Sequence, residues 1–346
     1  MKKGLFVFLL AFSVLGISGC GGSGFSAKAE TFTFINAPEE VYNGNLPQLT
    51  TTERSDNYGY NEDPCTDYLE TVEAVYTITN NTKQYMVDTP VLISLLDDNG
   101  KTIPDMQTVA YVNMGPKSST NFIVHTTIQQ LFGLEEAGDW EPTGEKRNDL
   151  SVYSCQVNED APAHVKDASG LSIELLTDKN IPETLKSDLR SDVAKDIDAY
   201  VDDTYKDEPN TSSYANSSTT KGQVIYNTYL SFEDVTTDLE FSEDDGQPNV
   251  EGDLQFNVVN ETKETINTYG FETGFILREG KTILGGGYGT TRVGYEGIPA
   301  SDQPVKQEIT GIHYRLFALP KDESKVEAEI FVPAIYQMPA SGEPIV

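Results

Sequence analysis

Three cysteines (Cys20, Cys65, Cys155) and three histidines (His125, His164, His313) are the side chains best suited to nucleophilic, redox or metal chemistry in this 346-residue chain. Their spacing supports little of it. No histidine stands in an HxxxH or HExxH register, and none has Cys, Asp or Glu at a ligand spacing, so no metal site is expected. The cysteines form no CxxC pair, which argues against a redox dithiol or zinc ribbon. No serine sits in a GxSxG elbow or an ordered Ser/His/Asp set. The run Gly285-Gly286-Gly287-Tyr288-Gly289 could cradle a phosphate, but strand-like residues follow it where a helix N-terminus would be needed. It reads instead as a wide hairpin or bulge. The acidic clusters Asp97-Asp98 and Glu243-Asp244-Asp245-Gly246 lack the alternating register of a calcium loop and read as turns. No cofactor motif is present. Asn80, Asn210, Asn216 and Asn260 occupy N-x-S/T triplets, read here as chance matches. Tyr58, Tyr60, Tyr68 and Trp140 lie in loop-like surroundings. Tyr and Trp are common anchors of binding surfaces, so Tyr58, Tyr60 and Trp140 are the candidate contact residues.

The charge balance is acidic throughout: 55 Asp plus Glu against 24 Lys plus Arg, formally −31. Such a field repels nucleic acid and anionic headgroups, so no nucleic-acid partner is expected. At the N-terminus, Lys2 and Lys3 precede an apolar run from Leu5 to Ile17, the pattern of a secretory signal peptide. In an exported chain the remaining pair, Cys65 and Cys155, is most simply a disulfide. Closing so long a loop would stabilise the fold by about 4–5 kcal/mol in the chain-entropy model.

The elements that position these residues are strands. Val72, Ala74, Tyr76 and Ile78 alternate with polar neighbours, Asn80-Asn81-Thr82-Lys83 is turn chemistry, and Met86 to Leu96 is a partner strand. Asp97-Asp98-Asn99-Gly100 then supplies a hairpin turn. The segment Val72 to Ile103 recurs without a gap as Gly252 to Ile283. Asn80, Thr82 and Lys83 fall on Asn260, Thr262 and Lys263, and Gly100 to Ile103 on Gly280 to Ile283. A repeat this widely spaced marks a duplicated domain. Between the copies, Leu185, Leu189, Val193, Ile197 and Val201 recur every fourth residue, which predicts one amphipathic helix over 182–203 with Pro182 in its first turn. Residues 204–222 are polar and of low complexity, a linker composition.

Two resemblances go with these residues. Ile17-Ser18-Gly19-Cys20 is similar to the lipobox of bacterial lipoproteins, which implies cleavage before Cys20 and a diacylglyceryl group on its thiol. The strand–turn–strand of the first copy, with Ile93-Ser94-Leu95-Leu96-Asp97 near the FxLYD pattern and Gly115-Pro116-Lys117-Ser118-Ser119 following it, resembles immunoglobulin-like FxLYD domains of bacterial, Gram-positive surface lipoproteins. The second copy departs from that pattern, with Leu277 in place of Asp97 and no clear counterpart of Gly115-Pro116. The resemblance implies a sandwich and carries no catalytic residues.

The sequence therefore predicts an all-β chain: a lipoprotein signal peptide (1–19), a lipidated Cys20 and flexible spacer (20–30), one immunoglobulin-like β-sandwich (31–180), an amphipathic helix and polar linker (181–222) and a second sandwich (223–346). The expected role is a non-enzymatic binding module on the outer face of the cell membrane, held there by the lipid anchor, with an envelope or extracellular protein as partner. The alternatives are a solute- or cation-binding lipoprotein, or a structural accessory gripping a complex through the Leu185–Val201 stripe. Non-reducing mass spectrometry of the native protein is expected to show a Cys65–Cys155 crosslink; free thiols at both positions would refute the pairing.

Overall fold

The computed structural model describes residues 24–37, 48–50, 70–133, 138–147, 150–157, 165–187, 189–209, 223–244, 247–268, 270–293, 297–300, 304–333 and 335–337. The signal peptide, Cys20, Tyr58, Tyr60, Tyr68, Cys65 and His164 lie outside them. Segments 48–50, 138–147, 150–157 and 335–337 are described as backbone.

The first half contains β1 (Phe25–Ile35), β2 (Gln48–Thr50), β3 (Thr71–Asn80), β4 (Tyr85–Leu96), β5 (Thr102–Met114), β6 (Ser118–Thr127), β7 (Gly138–Arg147), β8 (Leu150–Val157), β9 (Gly170–Leu175) and β10 (Tyr205–Lys206). β1, β3 and β6 form one antiparallel sheet, with β3 central. In the facing sheet β4 is central, flanked by β5 on one side and by β9 and β10 on the other. The alternation seen in the sequence decides which side chains meet between them. Val72, Ala74, Tyr76 and Ile78 point inward against Met86, Val91, Ile93 and Leu95. The Tyr76 hydroxyl accepts from the Leu171 N–H at 2.8 Å and so ties the two sheets together.

The second half contains β11 (Gln223–Ile225), β12 (Leu230–Asp244), β13 (Gln247–Asn260), β14 (Gly270–Glu279), β15 (Thr282–Arg292), β16 (Val305–Arg315), β17 (Val326–Phe331) and β18 (Ile335–Gln337). It repeats the plan strand for strand: β12-β13-β16 stands for β1-β3-β6, and β15-β14-β17 for β5-β4-β9. Both halves are all-β sandwiches with immunoglobulin-like pairing, in which β3 neighbours β6 and β4 neighbours β9, as β13 neighbours β16 and β14 neighbours β17.

What the two copies share most closely is a buried asparagine. Asn80 donates through Nδ2 to the carbonyls of Gln84 (2.8 Å) and Gly115 (2.9 Å), while its Oδ1 accepts from the Thr82 N–H (2.9 Å) and hydroxyl (2.7 Å). Asn260 donates to Glu264 (2.8 Å) and Ile298 (2.9 Å) and accepts from Thr262 N–H (2.9 Å) and hydroxyl (2.6 Å). Both side chains are sealed from solvent. Each amide joins the turn after its own strand to the turn that enters the fifth strand of the sandwich, so it closes the sandwich end. The match also corrects the sequence comparison: Ile298-Pro299 is the structural counterpart of Gly115-Pro116, hidden by an insertion. Burial leaves neither Asn80 nor Asn260 available for a glycan.

Three expectations change. The spacer ends sooner than predicted: Phe25 to Glu30 already belong to β1, because Phe25 is buried in the first core and opposes Asn80. The helix predicted over 182–203 is three pieces, a 3-10 turn at Glu183–Leu185 and helices at Ser191–Lys195 and Ile197–Asp203. Asp196 breaks it. Its backbone is extended (φ −163°, ψ 98°) and its carboxylate accepts from the Ala199 N–H at 2.9 Å, so a local cap displaces a continuous ladder. The stripe nevertheless packs: Leu189, Val193, Ile197 and Val201 cover Leu92 and Leu176 on the outer face of the first sandwich. The Leu185–Val201 stripe is thus already occupied by the chain itself. Finally, the surroundings of Trp140, which read as loop, are strand β7, paired with β8 in a small sheet with β2. Pro142 and Gly144 read as breakers, but a register shift between Pro142 and Lys146 absorbs them. Trp140 therefore lies on a strand, opposite Cys155.

Replacing Asn80 or Asn260 by Ala strands two buried carbonyls and a threonine hydroxyl and is expected to cost about 2–4 kcal/mol in denaturant unfolding. Asp at either position keeps the shape but sets a carboxylate against two carbonyl oxygens. It should destabilise more than Ala at neutral pH and less as the pH is lowered.

Candidate functional site

The two sandwiches meet sheet to sheet. The outward face of β3 and β6 lies on the outward face of β14, β15 and β17, with Val75, Ile123, Ile276 and Phe331 forming a shared apolar patch. Small residues allow the approach. A Cβ on Gly286 would stand 2.9 Å from Ile123 Cδ1, and one on Gly274 would overlap the Phe331 ring. This explains part of the glycine run: it is strand β15, thinned where another sheet and its own core press on it. Glycine is equally required at Gly115, where a Cβ would collide with the Thr228 side chain of the second sandwich.

Around the patch, hydrogen bonds cross the seam. β6 is an edge strand, and its outward Ile123 N–H donates to the Tyr288 hydroxyl at 3.0 Å. Burial pushes that phenol up to about 12, so it stays protonated. The Thr120 hydroxyl donates to the Val332 carbonyl at 2.9 Å. Asn227, just before β12, accepts from the Gly115 N–H and the Ser118 hydroxyl (both 3.1 Å) and donates to the Ser119 carbonyl (2.9 Å). The edge of the first sandwich is thus capped by the second, which removes an exposed template for strand addition.

At one side the seam opens into a cleft of about 480 Å³. A ladder of polar side chains lines it. The Thr77 hydroxyl lies 3.2 Å from Glu30 Oε1 and 3.3 Å from Asn121 Oδ1; Asn121 Nδ2 donates to Glu329 Oε1 at 3.1 Å, and Arg278 Nε donates to Glu329 Oε2 at 3.1 Å. Glu30 is also held by Lys28 at 2.8 Å. Leu230, Phe232 and Ile330 add apolar residues to its lining.

A second group lies under the seam, away from this cleft. Glu73 on β3 and His125 on β6 are both buried or nearly so, 3.9 Å apart, with Arg315 and Phe317 of the second sandwich beside them. Burial raises Glu73 to about 7, against a smaller downward pull from Arg315. Burial and then Arg315 lower His125 to about 4, partly offset by a hydrogen bond to the Arg315 backbone. The 3.9 Å approach is therefore a contact with a neutral imidazole at physiological pH and not a salt bridge. A carboxyl and an imidazole shifted apart can serve as acid and base, but neither lines the cleft. Among the described residues no group of three or more His, Cys, Asp or Glu is placed to hold a metal. His313 is exposed, with its Nδ1 2.9 Å from Glu251 Oε1.

Of the residues singled out in the sequence as binding anchors, Tyr58 and Tyr60 lie outside the described residues, and Trp140 is in the β7–β8 hairpin, with only its backbone described. The residues that line the cleft (Glu30, Thr77, Asn121, Arg278, Glu329) look like solvent-facing positions of alternating strands. One signal did point to the seam. Ala74-Val75-Tyr76, Phe122-Ile123-Val124, Phe275-Ile276-Leu277 and Ile330-Phe331-Val332 are apolar at three consecutive positions, the pattern of strands buried on both faces.

No protein family matches the chain, and no curated protein matches it. Among solved structures it is similar to the formate complex of Lactobacillus farciminis oxalate decarboxylase, at 10% identity over 78% of this chain and 83% of that one, with a TM-score of 0.12. A score that low carries no argument about fold or function.

The buried pair makes a prediction about pH. Glu73 has its folded value above the usual 4.5, so its contribution is full below 4.5 and is lost as pH rises through 7. His125 has its folded value below 6.5, so its contribution is full above 6.5 and is lost as pH falls through 4. Each change is worth about 3 kcal/mol. Between 4.5 and 6.5 unfolding passes a proton from Glu73 to His125 with little net exchange, and the two slopes nearly cancel. His125→Asn should expose the first slope, gaining stability relative to wild type as pH is lowered from 7 to 4.5; Glu73→Gln should expose the second, losing it between 6.5 and 4. Urea titrations of both variants that run parallel to wild type across this range would contradict the assignment.

Proposed function

We propose that the chain is a bacterial cell-surface lipoprotein, tethered by a lipidated Cys20, that binds an extracellular or envelope partner without transforming it. The observation that carries this reading is the seam. Two copies of one sandwich are locked face to face through an apolar patch and cross-sheet hydrogen bonds, which spends structure on a fixed display surface. The groups best poised for proton transfer, Glu73 and His125, are placed inside that seam and away from the cleft.

The lipobox residues Ile17 to Cys20 support the anchor. Two acyl chains on Cys20 would hold the protein to a membrane where one chain binds only reversibly. No helix among the described residues is long and apolar enough to cross a membrane. The FxLYD-like segment and the Cys65–Cys155 disulfide belong to the same reading, as features of an exported, surface-displayed chain.

Cys20→Ser is expected to shift the protein from the membrane fraction to the medium or the soluble fraction of intact cells, with loss of label from a clickable fatty acid. Cross-linking on intact cells followed by mass spectrometry should identify a neighbour of the wild-type protein at the surface. Retention of the serine variant in the membrane would overturn the anchor, and turnover of wall glycan or peptide by the purified chain would overturn the non-enzymatic role.

A further inference from the structure

We infer that the cleft at the seam is a binding site for a neutral polyhydroxylated ligand, an oligosaccharide segment; this rests on the binding-module reading and names what that module holds. The volume, about 480 Å³, falls in the range of ligand sites. Its lining is unlike a site for an apolar molecule, because a polar ladder runs from Glu30 through Thr77 and Asn121 to Glu329 and Arg278.

The charges of that ladder choose among polar ligands. Arg278 is paired with Glu329 at 3.1 Å, and Glu30 with Lys28 at 2.8 Å. A charged ligand would have to break a pair and leave its partner uncompensated, which is costly when the group is partly desolvated. An anion would in addition enter a molecule of formal charge −31. A hydroxyl both donates and accepts, so it can add to a paired charge without displacing its partner. The acceptors are the carboxylates of Glu30 and Glu329, whose further lone pairs can take ligand O–H groups. The donors are the guanidinium N–H groups of Arg278 beyond the Nε that Glu329 uses.

The apolar part of the lining suits the other face of a sugar. Phe232 is half-buried there, held edge-on by Phe256 with ring centroids 5.5 Å apart, and Leu230 and Ile330 flank it. A pyranose has one face of C–H groups and a rim of hydroxyls, matching a cleft lined by both apolar residues and a polar ladder. Both domains contribute: Glu30, Thr77 and Asn121 come from the first sandwich, Arg278, Glu329 and Phe232 from the second. The site therefore exists only while the seam is closed.

The test uses the full lipidated chain in detergent micelles, titrated by calorimetry with chitotetraose and maltohexaose as neutral probes. Trigalacturonate serves as the anionic probe, a chitosan tetramer as the cationic one and triglycine as a zwitterion. At least one neutral probe should bind, with an affinity little changed between low and high salt. Arg278→Ala should weaken it by about tenfold or more, the loss of one charge-assisted hydrogen bond. Ser231→Trp, which places a bulky ring at the cleft wall without entering either core, should abolish it. Thermal melts of both variants must stay near wild type; if Arg278→Ala unfolds, Arg278→Lys and Thr77→Val give the same reading. Binding of only charged probes, binding of no neutral probe, or neutral binding unchanged in a folded Ser231→Trp variant would overturn the inference. A surface partner captured by cross-linking would still stand in each of those cases, so the fate of the cleft is separable from that of the binding-module reading.

Discussion

Each sandwich is closed at one end by a single buried amide. An asparagine at the end of β3 or β13 faces backbone carbonyls with its nitrogen and a threonine two residues on with its oxygen, and it has no water to fall back on. A buried amide of this kind is stabilising only when every donor and acceptor is met. Meeting them fixes the path of two turns at once. One turn leaves β3 or β13, and the other enters β6 or β16. Because the two carbonyls come from segments far apart in sequence, the amide also specifies which strands belong together. That the arrangement recurs at Asn80 and Asn260 with nearly the same distances shows the duplication to be a duplication of constraint as well as of sequence.

The closed ends make the seam possible. Gly115, whose carbonyl accepts from Asn80, also presents its N–H to Asn227 of the second half, so the lock of one domain is the landing point of the next. From there the sheets lie face to face. The edge amide of Ile123 reaches the Tyr288 hydroxyl, and Glu73 and His125 are enclosed with Arg315 and Phe317 beside them. Burying two ionisable groups here is tolerated because each takes its neutral form, at the cost of displaced pKa values and not of an unpaired charge. The seam opens at the cleft, whose lining is drawn from both halves.

Much of the fold was legible in the chain. Period-two alternation placed β3, turn chemistry at Asn80–Lys83 and Asp97–Gly100 placed its partner β4 and the hairpins, and the repeat carried the pattern to β13 and β14. What stayed hidden did so for identifiable reasons. β7 carries Pro142 and Gly144, which signal a loop unless a bulge absorbs them, and pairing with β8 is a non-local fact. The helix after β9 breaks at Asp196 because its own carboxylate caps the Ala199 N–H and so competes with the ladder, and periodicity alone does not weigh that competition. The cleft residues were invisible because outward polar positions on a strand look the same whether they face water or another domain. The three-in-a-row apolar triplets around Val75, Ile123, Ile276 and Phe331 were the one mark of the second buried face. The glycine run, which reads as a wide hairpin or bulge, is strand β15 with a register shift against β14, and the close approach that thins it needed the contacts of Gly286.

The central claim is that the two sandwiches are one body, joined through an edge strand that the partner domain caps. Amide hydrogen exchange at Ile123 tests it most directly, since this N–H has no partner within its own sheet and donates to Tyr288 across the seam. A fused structure predicts slow exchange there, comparable to the ladder amides of the central strand β3, and faster exchange confined to the seam in Tyr288→Phe. Exchange at Ile123 in the wild-type chain as fast as at an open sheet edge, with β3 still protected, would show that the sandwiches move apart and that the seam is not a standing structure.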